Sequence, residues 1–172
     1  MVILLRRFCC FLMLGYWQGG FLFYSSVVVP LGTKILGGPK EQGAITQEVT
    51  DYLNLVGGVA LAFLCWETLA LSCHHSLSSR CWKWLQRVSF LILLITWFVL
   101  LYLHPLMDTL LEEGETGHFQ RQLFRPLHRR YLWVSTIQWG ASLLFMLASV
   151  ALWKSTPNSN SAKSKSPESN MQ

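Results

Sequence analysis

Four apolar stretches set the limits on what this chain can become. Residues 8–29, 52–71, 88–104 and 131–153 run for 22, 20, 17 and 23 residues, and Glu67 is the one acidic or basic side chain of fixed charge among them. A helix rises about 1.5 Å per residue, so roughly 20 residues cross a hydrocarbon core of about 30 Å. The third stretch reaches that length once flanking interface residues are counted, which sets it at about 86–104. In lipid every backbone N–H and C=O must be satisfied internally, which leaves helices or closed barrels. None of the stretches alternates polar and apolar residues, so helices follow. The expected fold is all-α: an integral membrane four-helix bundle over residues 1–153, with spans at about 8–29, 52–71, 86–104 and 131–153, and a tail at 154–172.

Composition agrees with lipid as the main solvent. Charged residues make up 13% of the 172, against about 25% in soluble domains. Eight Trp, five Tyr and ten Phe suit the aromatic belts at membrane interfaces. The formal charge is +5, yet no soluble module presents a basic face, so nucleic acid is not an expected partner. Five cysteines are an odd number and do not form a disulfide framework. Cys9, Cys10 and Cys65 lie in apolar runs, where a thiol acts as a small hydrophobe.

The first stretch follows Arg6-Arg7, as a secretory leader would. Its length, the Gly15, Gln18, Gly19 and Gly20 in its middle, and the lack of an Ala-x-Ala pattern favour a retained helix closed by Pro30. Gly37-Gly38-Pro39 signals a turn, and the recurrence of Ile45, Val49 and Leu53 every four residues starts the second helix near Thr46. Residues 105–130 open acidic and end basic, and Phe119, Leu123 and Leu127 share a face there. That pattern predicts a short interfacial helix, broken near Pro126, which then occupies the first turn of the last span. Residues 155–172 contain almost nothing to bury and are expected to be disordered.

In this topology Arg6, Arg7, Arg80, Lys83, Arg87, Lys154, Lys163 and Lys165 share one side, and Lys34, Lys40, Arg121, Arg125, Arg129 and Arg130 the other. Eight against six, out of 14 Lys and Arg in all, places both termini in the cytoplasm.

Polar residues recur on helical faces. In the last span His128, Tyr131, Ser135, Gln138, Ser142 and Ser149 line one side, and the cost of polar groups in hydrocarbon turns that side inward. Matching stripes are Gly15, Gln18, Leu22, Ser25 and Val29; Asn54, Gly57, Leu61, Cys65, Thr68 and Ser72; and Ser89, Leu93, Thr96 and Leu100. Gly15-x-x-x-Gly19 and Gly58-x-x-x-Ala62 are close-packing patterns. The stripes are expected to meet neighbouring helices, with a solute or ion path past Gln18, Ser135 and Gln138 as the alternative. Glu67 is expected to pair within its hairpin with Arg87 or Lys83; otherwise an intramembrane carboxylate handles protons or cations.

His104 and Asp108 are four apart, and His128 opens the last span. Imidazole binds copper, iron or zinc, and a carboxylate orients it. No cofactor is expected, and haem or copper at His104 and His128 is the alternative. Cys73, His74, His75 and Cys81 match no common zinc spacing, and no nucleophile elbow, phosphate loop or kinase signature occurs.

The runs LYLHPLMD and FRPLHRRYLWVSTIQW, with GYWQGGFLFYSSVVVP in the first helix, resemble a family of four-pass membrane proteins related to transmembrane protein 205, whose activity is not established. Phe124, Leu127 and His128 match the family's start to its last helix, and the likeness covers about residues 10–153. It implies a four-helix integral membrane domain; a more distant likeness to copper-resistance and haem-handling four-helix membrane proteins lies behind the histidine reading. Where the family places a small Ser after its last-helix histidine, this chain has Arg129-Arg130-Tyr131.

The function expected first is a non-enzymatic structural or assembly-related membrane component. A small-solute or metal-tolerance transporter comes second and a haem- or metal-binding redox protein third. Expected partners are the bilayer and, through small-residue helix faces, a second copy or another membrane protein. The expected location, taken from the resemblance, is a bacterial inner membrane.

Overall fold

The computed structural model describes residues 2–72, 80–112 and 118–154. Every regular element among them is helical: α1 (Val2–Phe23), a π-helical turn (Tyr24–Val28), α2 (Val29–Leu36), α3 (Pro39–Ser72), α4 (Arg80–Glu112) and α5 (His118–Lys154). Segments Ile3–Leu36, Glu41–Ala70, Arg80–Leu110 and Arg125–Lys154 are each long and apolar enough to cross a membrane. The chain is an all-α four-helix bundle with the makeup of an integral membrane protein. The tail and the Cys73-His74-His75 run lie outside the described residues.

The helices extend past the apolar stretches, and prolines explain part of the difference. Pro30 does not close the first span; it sits in the first turn of α2, and helix continues to Leu36. Proline has no N–H and its ring crowds the carbonyl four residues back. The chain relieves that crowding with a wider turn just ahead, in which the Val29 N–H bonds back to the Tyr24 carbonyl. The Ser25 and Ser26 hydroxyls both donate to the Leu22 carbonyl, at 3.1 and 2.6 Å. Gly37 then ends α2 with φ at 86°, a left-handed conformation that favours glycine.

The second span begins at Pro39 rather than near Thr46, because proline is well placed at the first helical position. The segment before the last span is helical from His118 but continuous with it through Pro126. Leu127 and Tyr131, four apart, are both buried, so packing on one face overrides the break that proline alone would cause. Pro105 is likewise inside α4.

The helices form a ring in which α4 packs most extensively on α5, α3 lies against both α1 and α4, and α1 closes against α5. On α4 the buried stripe is Gln86, Ser89, Leu93, Thr96, Leu100 and His104; on α5 it includes Tyr131, Ser135, Gln138, Ser142, Phe145 and Ser149. The outer faces carry Leu4, Phe8, Leu55, Ile95, Phe98 and Leu147, large apolar side chains suited to lipid.

On α1 the inward face is rotated from the expected one. Cys10, Leu14, Trp17 and Gln18 are buried, whereas Gly15, Leu22 and Ser25 are exposed. The bulk of Leu14 and Trp17 goes to the core, which leaves the small residues outside. On α3 the stripe runs through Asn54, Gly57, Leu61, Leu64 and Glu67 rather than Cys65.

A Cβ added at Gly15 or Gly19 would meet nothing within 4 Å, so neither glycine serves a helix crossing within the chain. Gly15→Ala and Gly19→Ala are each expected to stabilise the protein by about 0.5–1 kcal/mol, through helix propensity. Unfolding titration in mixed detergent micelles checks this. Destabilisation together with lost self-association would mark the face as a contact between copies.

The apolar core occupies one half of the bundle: Cys10, Leu14, Trp17, Ala60, Leu61, Leu64, Leu93, Ala141 and Phe145. These residues fill the half nearer the chain's described ends. The half toward Gly37-Gly38 is built differently.

A chamber between the helices as the candidate functional site

Beyond Trp17 the four spans enclose a chamber of about 490 Å³. Its walls come from every span: Trp17, Phe21 and Tyr24 from the first, Gln42, Thr46, Thr50 and Asn54 from α3, Leu100, His104 and Asp108 from α4, and His128, Tyr131 and Gln138 from α5. Such a volume lies within the roughly 300–1,000 Å³ typical of small-molecule sites, and its mix of aromatic walls with a few polar groups is typical too.

The π-helical turn builds one wall. Tyr24 OH donates to Thr46 Oγ1 at 3.0 Å and accepts from Gln42 Nε2 at 3.1 Å. Thr46 Oγ1 donates in turn to the Gln42 carbonyl at 2.8 Å. Gly32 lets α2 approach α3 here, because a Cβ at this position would collide with the Gln42 side chain. These contacts tie the end of the first span to the start of α3.

The opposite wall carries the titratable groups. His104 Nδ1 lies 2.7 Å from Asp108 Oδ2, one helical turn on. The carboxylate accepts from Nδ1 and fixes the orientation of the ring. Nε2 faces Asp51 Oδ1 of α3 at 3.9 Å. His104 is 5% exposed, so the pair is fixed within the wall while Asp51 stands at the rim. Gln138 is also buried, at 6%, and its amide nitrogen has no hydrogen-bond partner among the described residues.

Of the polar residues singled out in the sequence, Ser25, Asn54, His104, Asp108, His128, Tyr131 and Gln138 come together on this chamber. Ser135 is buried but returns its hydroxyl to the Tyr131 carbonyl at 2.9 Å. Ser142 does the same to Trp139 at 2.7 Å, and Ser149 accepts from Gln86 Nε2 across the α4–α5 interface at 3.1 Å. The polar face of α5 therefore meets protein in its second half, and at Tyr131 and Gln138 it meets the chamber instead. Gln18 is buried, with its amide nitrogen unpartnered among the described residues, and lies outside the chamber walls.

Glu67 sits at the other end of the bundle, fully buried. Arg6 Nε donates to its Oε2 at 2.5 Å, and Trp153 Nε1 donates to its Oε1 at 2.8 Å. Arg7 lies over the Trp153 ring at 4.9 Å, and Phe11 packs edge-on against the same ring at 4.7 Å. The carboxylate is thus clamped from α1 and α5, a pairing that the hairpin expectation overlooked. The overlooked signal was periodic: Arg6 lies four residues before Cys10 on the buried face that continues to Leu14 and Trp17.

Asp51, Gln42, Tyr24 and Thr46 were not among the expected site residues. Gln42, Thr46, Thr50 and Asn54 recur every four residues, a stripe visible only once α3 is extended back to Pro39. Among the described residues no group of three or more His, Cys, Asp or Glu is placed to hold a metal ion. The free thiols Cys9, Cys10, Cys65 and Cys81 lie away from the chamber walls.

Fold and site together define a four-helix bundle of membrane type, packed solid at one end and, at the other, hollow with mainly apolar walls that carry a few polar groups. No protein-family model, curated protein or solved structure matches the chain.

Proposed function

We propose that this protein is a small-solute-binding membrane protein acting as a carrier, with the chamber as its solute site. The observation that carries the reading is the chamber of about 490 Å³, walled by His104, Asp108, Tyr131 and Gln138. A purely structural bundle gains by filling such a volume, since interiors pack to crystal-like density and unfilled space costs stability. Polar side chains are also expensive at membrane depth and tend to mark substrate pathways.

The chamber is blind. The packed layer of Leu14, Leu61, Leu64, Leu93 and Phe145 separates it from the Arg6–Glu67–Trp153 clamp. Passage of a solute therefore requires rearrangement of that layer, as alternating access demands. With both termini taken as cytoplasmic from the positive-inside balance, the chamber, at the other end of the bundle, lies toward the opposite face, in a bacterial cell the outer face of the inner membrane.

Accessibility tests this reading. In a variant with its native cysteines replaced, Gln138→Cys is expected to react from outside with a membrane-impermeant maleimide, and Phe145→Cys is expected to stay unlabelled. Protection of both positions would return the protein to the scaffold reading. Labelling of both would mean a continuous pore.

A further inference from the structure

We infer that the chamber takes its solute from the bilayer itself: a lipophilic molecule with one hydrogen-bonding group, entering sideways between the first span and α5. The inference rests on the solute-binding reading above and adds the class of solute and its route.

The route is the first argument. At the packed end α1 is held to α5, where Arg7 and Phe11 lie on the Trp153 ring. Farther along, among the described residues, neither the π-helical turn nor α2 forms an extended contact with α5. Both sides nevertheless line the chamber, through Ser25 and Val29 on one and His128 and Leu132 on the other. Ser25 is exposed, and Leu132 is 46% exposed although it belongs to the chamber wall. Leu132 lies seven residues into the last span from Arg125, and Ser25 eleven residues into the first from Leu36, or about 10 and 16 Å by helix rise. A side chain exposed at that depth meets lipid, so the gap faces hydrocarbon. A molecule dissolved there reaches the chamber without crossing water.

The walls are the second argument. Trp17, Phe21, Leu53 and Leu100 give the chamber a mainly apolar lining. Leaving lipid for such walls gains little through the hydrophobic effect, because lipid tails are equally apolar. Selection therefore falls to a polar group. Gln138 is buried on the chamber wall, and its amide nitrogen has no partner among the described residues. A hydrogen bond left unmade is costly, and hydrocarbon offers nothing to replace it. The amide torsion is broad and roughly two-fold, so the group turns either edge to a solute hydroxyl or carbonyl. A plain hydrocarbon would leave the amide unpaired.

Dodecanol carrying a diazirine near its tail is the probe, photo-crosslinked to the full chain in lipid nanodiscs and mapped by peptide mass spectrometry. Trp17 and Leu100 are each 4% exposed, so cross-links to them report a molecule inside the chamber. Phe98 and Leu147 on the outer surface collect the unsaturable background. Saturable cross-links to Trp17 and Leu100 are expected, displaced by unlabelled dodecanol and not by dodecane. Leu132→Trp, which sets an indole at the gap, is expected to diminish them while leaving aqueous maleimide labelling of Gln138→Cys unchanged. Gln138→Leu is expected to raise the dodecanol concentration needed for half-displacement by about two- to tenfold, the worth of one net hydrogen bond.

Cross-links confined to the outer residues, or undiminished in Leu132→Trp, would overturn the sideways route. Equal displacement by dodecane, or no shift in Gln138→Leu, would overturn the hydrogen-bonding group. If Gln138→Cys is still labelled by the impermeant maleimide in those cases, the solute-binding reading stands and only the solute class or its route falls. If Gln138→Cys is protected as well, the chamber reading fails.

Discussion

Arg6→Met is expected to destabilise the protein by about 3–5 kcal/mol, the usual cost of leaving one half of a buried ion pair uncompensated. Glu67 is fully buried, and Arg6 is 14% exposed at its side chain, so neither charge is relieved by solvent as it would be at a surface. Trp153 Nε1 still reaches the carboxylate and Arg7 still acts on it through space, but neither replaces the direct ionic hydrogen bond. The double variant Arg6→Met with Glu67→Met is expected to recover most of the loss, because replacing both partners by apolar groups is often neutral or better. Reversible unfolding in mixed micelles reads both results. A loss under about 1 kcal/mol for Arg6→Met would class the pair with solvated surface bridges. A Glu67→Gln protein that folds normally but has lost transport would instead assign Glu67 to proton or cation movement.

The second large effect is steric. A Cβ at Gly57 would lie 2.7 Å from Trp17 Cε2 and 2.8 Å from two more indole atoms. An indole is rigid and Trp17 is 4% exposed, so the ring has to shift as a body. Gly57→Ala is therefore expected to cost about 1–3 kcal/mol, the range for overpacking. The neighbouring Gly58 faces the edge of Trp97 at 3.0 Å, and Trp97 is anchored by its Nε1 donating to the Asn54 carbonyl at 3.0 Å. Gly58→Ala should be milder, because only a few tenths of an ångström must be found. Trp17 is both a member of the apolar core and part of the chamber wall, so moving it in Gly57→Ala should narrow the chamber. Slower maleimide labelling at Gln138→Cys in that background is the accompanying readout, and an unchanged rate would place the shift elsewhere.

The two glycine pairs show where reading a sequence stops. Gly15-x-x-x-Gly19 and Gly58-x-x-x-Ala62 look alike on paper, yet nothing approaches the first pair while Gly58 borders Trp97. A small-residue pattern states that close approach is allowed, not which helix approaches. The same holds for charge. Glu67 was visibly unusual from its place in an apolar run, but its partner Arg6 is 61 residues away, and a sequence offers several cations at the same end of the bundle.

The chamber was half legible. His104, Asp108, His128, Tyr131 and Gln138 stood out because polar residues in apolar helices are costly and fall on one face. The other wall did not, because Gln42, Thr46 and Asp51 precede the apolar core of their span, in a stretch whose helix began earlier than its turn signals implied. The π-helical turn that brings Tyr24 to Gln42 and Thr46 depends on how Pro30 is accommodated, and a local pattern does not specify that.

By itself the sequence determined four helices, their apolar outer faces and the inward polar stripes of α4 and α5. These follow from local rules: segment length against membrane thickness, backbone satisfaction, and the period of 3.6 residues. The tertiary structure decided the rotation of α1, the clamp on Glu67, and the division of the bundle into a packed half and a hollow half. Those features depend on the relative height and rotation of helices far apart in the chain, and on whether side-chain volumes fill the space between them. That sum is taken across all four helices at once, so no single segment contains it.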